Sequence, residues 1–161
     1  MPRIDKENYY LDIAETVSER STCLRRHYGA IIVQSDEVIA TGYNGAPRGR
    51  QNCADLGRCT RAELKIPSGQ RYELCRSVHA EANCIISAAR KEMLGATLYM
   101  ACRDPQTGEL IPESTSCSMC RRLIINAGIE KVVIRDTPKE YRVVDVRREW
   151  IEEDDSLPCH C

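Results

Sequence analysis

Cys117-Ser118-Met119-Cys120-Arg121-Arg122-Leu123-Ile124-Ile125-Asn126-Ala127-Gly128 lies between two apolar runs, Thr97-Leu98-Tyr99-Met100-Ala101 and Lys131-Val132-Val133-Ile134. The flanking runs are short and rich in large apolar residues, the signature of buried strands. The middle stretch predicts a helix over 117–127, stopped by Gly128. Strand, helix and strand in that order imply a right-handed crossover and a layered α/β sheet. Upstream, 79–90 predicts another helix, rich in Ala and Ile and ending before Gly95. Gly29-Ala30-Ile31-Ile32-Val33 and 38–43 read as a hairpin across the turn-like Gln34-Ser35-Asp36-Glu37. Residues 4–19 carry Tyr10, Ile13, Ala14 and Val17 at helical spacing. Val143-Val144 signals one more strand.

The rest of the chain sets limits on that frame. With 161 residues, 42% of them hydrophobic and 29% charged, the chain suits one folded domain. We read residues 1–148 as that domain and 149–161 as an acidic tail ending Cys159-His160-Cys161, a terminal segment expected to be disordered or, less simply, metal-binding. The net charge of −1 argues against nucleic acid as a partner. No apolar run is long enough to span a membrane and the N-terminus carries no apolar signal region, so the cytosol is the expected location. The chain has no phenylalanine, ten cysteines and three histidines. Cysteines without a secretory context are reduced, metal-bound or catalytic more often than paired.

His79-Ala80-Glu81 and Cys117-x-x-Cys120 carry the chemistry. Each stands where a helix begins. Cys117 and Cys120, three apart, face one way on a helix. His79 and Glu81 converge only if the helix starts after His79. Two helix starts aimed at one point favour thiolates, the zinc-binding form. One imidazole and two thiolates make three ligands, and a catalytic zinc keeps its fourth position for water, whose pKa it brings to about 7. Glu81 is then a spare carboxylate able to move the water's proton. The bland reading, a capping histidine with two core cysteines, leaves Glu81 without a reason.

Helix-borne H-x-E with a later C-x-x-C is the signature of zinc-dependent nucleobase deaminases. Within that superfamily the chain resembles the deoxycytidylate (dCMP) deaminases. The resemblance is carried by Ser21-Thr22-Cys23 leading into Gly29-Ala30-Ile31-Ile32-Val33, by Thr41-Gly42-Tyr43-Asn44-Gly45-Ala46-Pro47-Arg48-Gly49, by residues 66–76 running into His79-Ala80-Glu81-Ala82-Asn83, and by 123–129. It spans roughly 8–135. It implies a three-layer α/β/α fold on a mixed five-stranded sheet, His79, Cys117 and Cys120 as zinc ligands, and Glu81 as proton shuttle. It implies hydrolysis of dCMP to dUMP and ammonia: water loses a proton to Glu81 and adds at C4, and Glu81 then protonates N3 and the departing amine. Asn44, Arg26, Arg48 and Ala80 are the expected substrate-binding residues, with Arg25 and Arg76 as further phosphate candidates. Residues 20–76 hold ten Lys/Arg against five Asp/Glu. Cys23, Cys53, Cys59 and Cys75 are candidates for a second, structural zinc that pins the long excursion 46–78; ordinary reduced thiols or a disulfide are the alternatives. The resemblance also implies a homo-oligomer, often a hexamer, and response to dCTP and dTTP.

One departure stands out. Where the family has proline before the first cysteine, this chain has Ser116, and the 103–116 connection is longer and turn-rich. The loop leads into the ligands and is expected at the pocket rim, which leaves open another cytosine nucleotide, nucleoside or base as substrate. A non-catalytic zinc-stabilised binding protein is the rival from another class; Glu81, which is no ligand, argues against it.

Overall fold

The computed structural model describes residues 1–153. Helix α1 is Lys6–Ser18, capped by the Asp5 carboxylate, which accepts from the Asn8 amide at 2.9 Å. Strands β1 (His27–Gln34) and β2 (Glu37–Tyr43) form the expected hairpin. The excursion that follows holds α2 (Cys53–Leu56), α3 (Thr60–Glu63) and a 3-10 turn at Tyr72–Leu74. Next come α4 (Ala80–Ile86), α5 (Arg90–Met93), β3 (Thr97–Arg103), α6 (Ser118–Ala127), β4 (Lys131–Arg135) and β5 (Tyr141–Asp145). A wide-turned π-helical segment, Val146–Glu152, runs across residue 149, where the tail was expected to begin, and buries Trp150. The Cys159-His160-Cys161 motif lies outside the described residues.

The expected single helix over 79–90 is two pieces. Ser87 caps the first, and its hydroxyl donates to the Asn83 carbonyl at 2.8 Å. Such local bonds compete with helix propagation. Gly128 stops α6 as expected, with φ of 81°.

The sheet order is β2-β1-β3-β4-β5. β3 and β4 are parallel, joined through α6, and the other neighbours are antiparallel. The sheet is therefore mixed and five-stranded, as the sequence led us to expect. Its central strands are apolar throughout because both faces are covered. Ile31, Val33, Tyr99 and Val133 face Tyr10, Leu11 and Ala14 of α1. Their alternates Ala30, Ile32, Leu98, Met100, Val132 and Ile134 face Ala80 and Cys84 of α4, Ile124 of α6, and Trp150. The period of two in each strand divides the core into two layers. Without phenylalanine, α1 is anchored by tyrosines: the Tyr10 and Tyr99 rings lie 5.0 Å apart.

Two glycines set the layer spacing. A Cβ on Gly29 would stand 2.1 Å from the Ala14 carbonyl oxygen of α1. One on Gly42 would stand 2.4 Å from the Ala80 carbonyl oxygen and 2.6 Å from the Cys84 amide of α4. Backbone cannot yield as a side-chain tip does, so Gly42→Ala must push α4 off the sheet. Urea unfolding of this variant should show a loss of about 1–3 kcal/mol, the usual cost of overpacking; an unchanged midpoint would mean that α4 moves freely.

Candidate active site

The site is built from two helix starts on one face of the sheet. His79 precedes α4 in extended conformation (φ −71°, ψ 155°) and Cys117 precedes α6 likewise (φ −68°, ψ 163°). Cys120 follows one turn into α6, and its amide donates to the Cys117 Sγ at 3.4 Å. His79 Nδ1 lies 3.5 Å from the Cys117 Sγ and 3.4 Å from the Cys120 Sγ. All three donor atoms lie within 4.8 Å of one another.

These distances fit a metal. Zinc bonds of about 2.0 Å to nitrogen and about 2.3 Å to sulfur, at the tetrahedral angle, put the two ligand atoms about 3.5 Å apart. The donor set, one imidazole and two thiols, is zinc's own preference and leaves a fourth position open. His79, Cys117 and Cys120 are thus positioned to bind a metal ion.

Without the metal the triad holds its protons unevenly. The Cys117 thiol is drawn down to about 4 by hydrogen bonding from Cys120 and His79, although burial opposes this. Cys120 is pushed up by its bond to Cys117, by burial and by the nearby Glu81 charge. Burial works against protonation of His79, but Cys117 and Cys75 raise it to about 10. Glu81, two residues into the same helix start, is 4% exposed. Burial lifts its carboxyl above the usual range, while its own amide, the Ser116 hydroxyl and His79 pull the other way. A carboxyl held high beside a metal triad suits proton transfer near neutral pH.

His79, Cys117 and Glu81 line a cavity of about 520 Å³, within the range of small-molecule sites, with Cys120 buried behind them. Residues 111–117 line one side, so the long loop reaches the pocket rim as expected. Ala80 lies in the wall, 1% exposed. Arg25, Arg26 and Arg76 also line the cavity, and Arg76 Nε donates to the Gln51 carbonyl at 2.6 Å. Arg48 is exposed and does not line it.

Asn44 reaches the cavity, but its amide already serves the protein. Its Oδ1 accepts from the Tyr28 amide at 2.8 Å and from the Ser21 hydroxyl at 2.5 Å. Its Nδ2 donates to the Arg26 carbonyl at 2.8 Å, which leaves one N–H for a ligand. Asn44 therefore shapes the 21–28 segment that carries Arg25 and Arg26.

Cys23, Cys53, Cys59 and Cys75 all border the same cavity. Among the described residues, however, the one set of three or more metal-donor side chains drawn together is His79, Cys117 and Cys120. The Cys53 thiol is pushed up by burial first and then by the neighbouring Cys23, Cys59 and Cys75. Cys84 and Cys102 are core residues, and the Cys84 Sγ donates to the Ala30 carbonyl at 3.0 Å. Sequence reasoning missed Arg61, Tyr72 and Tyr28, which also line the cavity. The signal for Arg61 and Tyr72 was the polar, cysteine-bearing length of 46–78; Tyr28, at the start of β1, carried none.

Comparison with known proteins agrees with this geometry. Residues 4–136 match the family model described as the cytidine and deoxycytidylate deaminase zinc-binding region. The chain is 38% identical to the deoxycytidylate deaminase of Mycobacterium phage D29 over 144 residues, 87% of this chain and 99% of that protein. It is 33% identical to the Schizosaccharomyces pombe deoxycytidylate deaminase over 79% of this chain, but this covers 36% of the yeast protein. Among solved structures, that of the dCMP deaminase from cyanophage S-TIM5 in complex with dCMP and dUMP is 25% identical, with a TM-score of 0.55, covering 83% of this chain and 84% of that one. The fold, the placement of the triad and the span of the family match lead to one conclusion: this chain belongs to the cytidine and deoxycytidylate deaminase family.

Proposed function

We propose that the chain hydrolyses dCMP to dUMP and ammonia. The observation that carries the proposal is the placement of the triad with a buried Glu81 in a cavity that Arg25, Arg26 and Arg76 also line. The near full-length similarity to the phage deoxycytidylate deaminase supports the same substrate. His79, Cys117 and Cys120 would hold zinc, which when bound makes water a nucleophile at neutral pH. The Glu81 carboxylate would accept a proton from the attacking water and deliver it to N3 of the cytosine ring. It would then take the second proton from the hydroxyl added at C4 and pass it to the amine, which leaves as ammonia as the C4 carbonyl forms, so that Glu81 ends as a carboxylate. Burial of Glu81 keeps bulk water from competing for the proton. The arginines offer planar, permanently charged donors to a 5′-phosphate, and Arg25 and Arg26 are held in place through Asn44.

We extend the reading to a cytosolic homo-oligomer, hexameric and responsive to dCTP and dTTP as its family resemblance implies. Exposed Ile86 on α4 and Met119 and Leu123 on α6 support a partner surface.

Ammonia release from dCMP, CMP, deoxycytidine and cytosine, measured side by side, tests the substrate. Loss of the phosphate should lower kcat/KM about 10–100-fold, the worth of one or two charge-assisted contacts. Equal turnover of deoxycytidine and dCMP would remove the arginines from the argument.

A further inference from the structure

We propose that Arg61 and Tyr72 are positioning residues that set the ring plane of His79, making the 46–78 excursion a working part of the metal site. The inference rests on the reading of His79 as a metal ligand. Arg61 is 5% exposed, an unusual burial for a guanidinium. One terminal nitrogen donates to the carbonyls of Pro67 and Gln70, both at 2.8 Å, and so closes the turn between them. The guanidinium carbon stands 4.3 Å from the Tyr72 ring centroid, within reach of a cation–π contact. The Gly69 amide donates to the Tyr72 hydroxyl at 3.1 Å. Held on its face and at its hydroxyl, Tyr72 meets the His79 ring edge-on, with centroids 4.6 Å apart and planes at 85°.

His79 Nδ1 faces the two thiols only in one ring orientation. Its side chain is at a helix start, where no preceding helical turn restrains it. Without Tyr72, the imidazole loses the contact that fixes its ring plane and gains room about its outer torsion, which is broad by nature. Groups that orient a metal-bound histidine commonly change metal affinity 10–100-fold. From outside the triad the ring meets the Tyr72 edge and the Cys75 thiol, and of these only Tyr72 is itself held in place by the Arg61 stack. Arg61 acts at one remove, by holding both the turn and the tyrosine.

The test measures zinc affinity by competition with a chromophoric chelator, with kcat and KM for dCMP alongside. Tyr72→Leu and Arg61→Met should each weaken zinc binding about tenfold. Tyr72→Phe keeps the ring and should stay within about twofold of the parent. At saturating zinc, KM should hold for all three. Wild-type zinc affinity in Tyr72→Leu and Arg61→Met overturns the proposal. A rise in KM at unchanged zinc affinity also overturns it, because these side chains would then be touching the nucleotide. Melting curves of the zinc-free variants report folding. Should Tyr72→Leu lose its cooperative transition, Arg61→Lys takes its place with the same expectation, since lysine keeps the charge but not the planar stack. His79→Ala separates the two readings: zinc retained at full affinity in that variant refutes the ligand assignment itself.

Discussion

Replacing Glu81 with glutamine should lower kcat for dCMP about 10²–10⁴-fold while the protein keeps its zinc. The side chain is nearly isosteric and is not one of the three donors, so the metal triad stays intact. What disappears is the group that moves a proton. Loss of zinc together with activity would show that Glu81 supports the metal rather than the reaction. The same substitution has an opposite effect on stability. Burial raises the folded-state pKa of Glu81, so holding it ionised costs the folded state at neutral pH. That cost is absent below the unfolded carboxylate range, where both states are protonated, builds as pH rises from the unfolded value towards the folded one, and is constant above it. The metal-free glutamine variant should therefore melt above the parent at pH 7, with the difference closing on acidification.

Arg135→Met should lower the unfolding free energy by about 3–5 kcal/mol in urea titrations, the usual cost of breaking a buried charge network. Arg135 is 1% exposed. Its Nη1 reaches Asp12 and Glu15, both at 2.6 Å, and its Nη2 reaches the Asn8 Oδ1 at 2.8 Å. Glu15 is also paired with Arg103 of β3. Through this network α1 is bolted to β3 and β4. The variant leaves Glu15, whose side chain is 16% exposed, with a weakened partner set. Asp12→Asn makes the contrast: the Asp12 side chain is 55% exposed, and solvent-screened pairs of that kind are worth about 0–1 kcal/mol. Equal losses for both variants would mean that the exposed Asp12 pair, rather than the buried contacts to Glu15 and Asn8, carries the arginine's contribution. The triad lies on the opposite face of the sheet, so zinc binding should survive Arg135→Met.

What the sequence revealed and what it hid divide along a physical line. The strands and long helices were legible because their apolar periods are local. His79, Cys117 and Cys120 were legible because zinc chemistry restricts residue type and spacing together, and Glu81 stood out as the carboxylate beside them that is not a donor. Arg135 was not, since an arginine after Lys131-Val132-Val133-Ile134 looks like a solvated strand end; only the approach of α1 makes it a core residue. Asn44 read as a turn residue or a substrate ligand, and its internal bonds depend on the 21–28 segment folding back on it. Cys23 and the three cysteines of the excursion read as one cluster, and the structure brings all four to one cavity wall, near enough for Cys23, Cys59 and Cys75 to raise the Cys53 thiol. Tyr72 and Arg61 carried no local pattern at all. Their role arises from a turn that closes across nine residues and then meets a helix start from elsewhere in the chain.

The two glycines that hold α1 and α4 against the sheet separate the protein into two kinds of territory. The reactive groups stand on helix starts whose distance from the sheet is set by backbone meeting backbone at Gly42. The 103–116 loop and the arginines that border the cavity stand on connections that no such contact confines. Chemistry is thereby written into the frame, and selectivity into the margins. A change in the loops can therefore reshape the cavity rim without moving the helix start that carries His79 and Glu81.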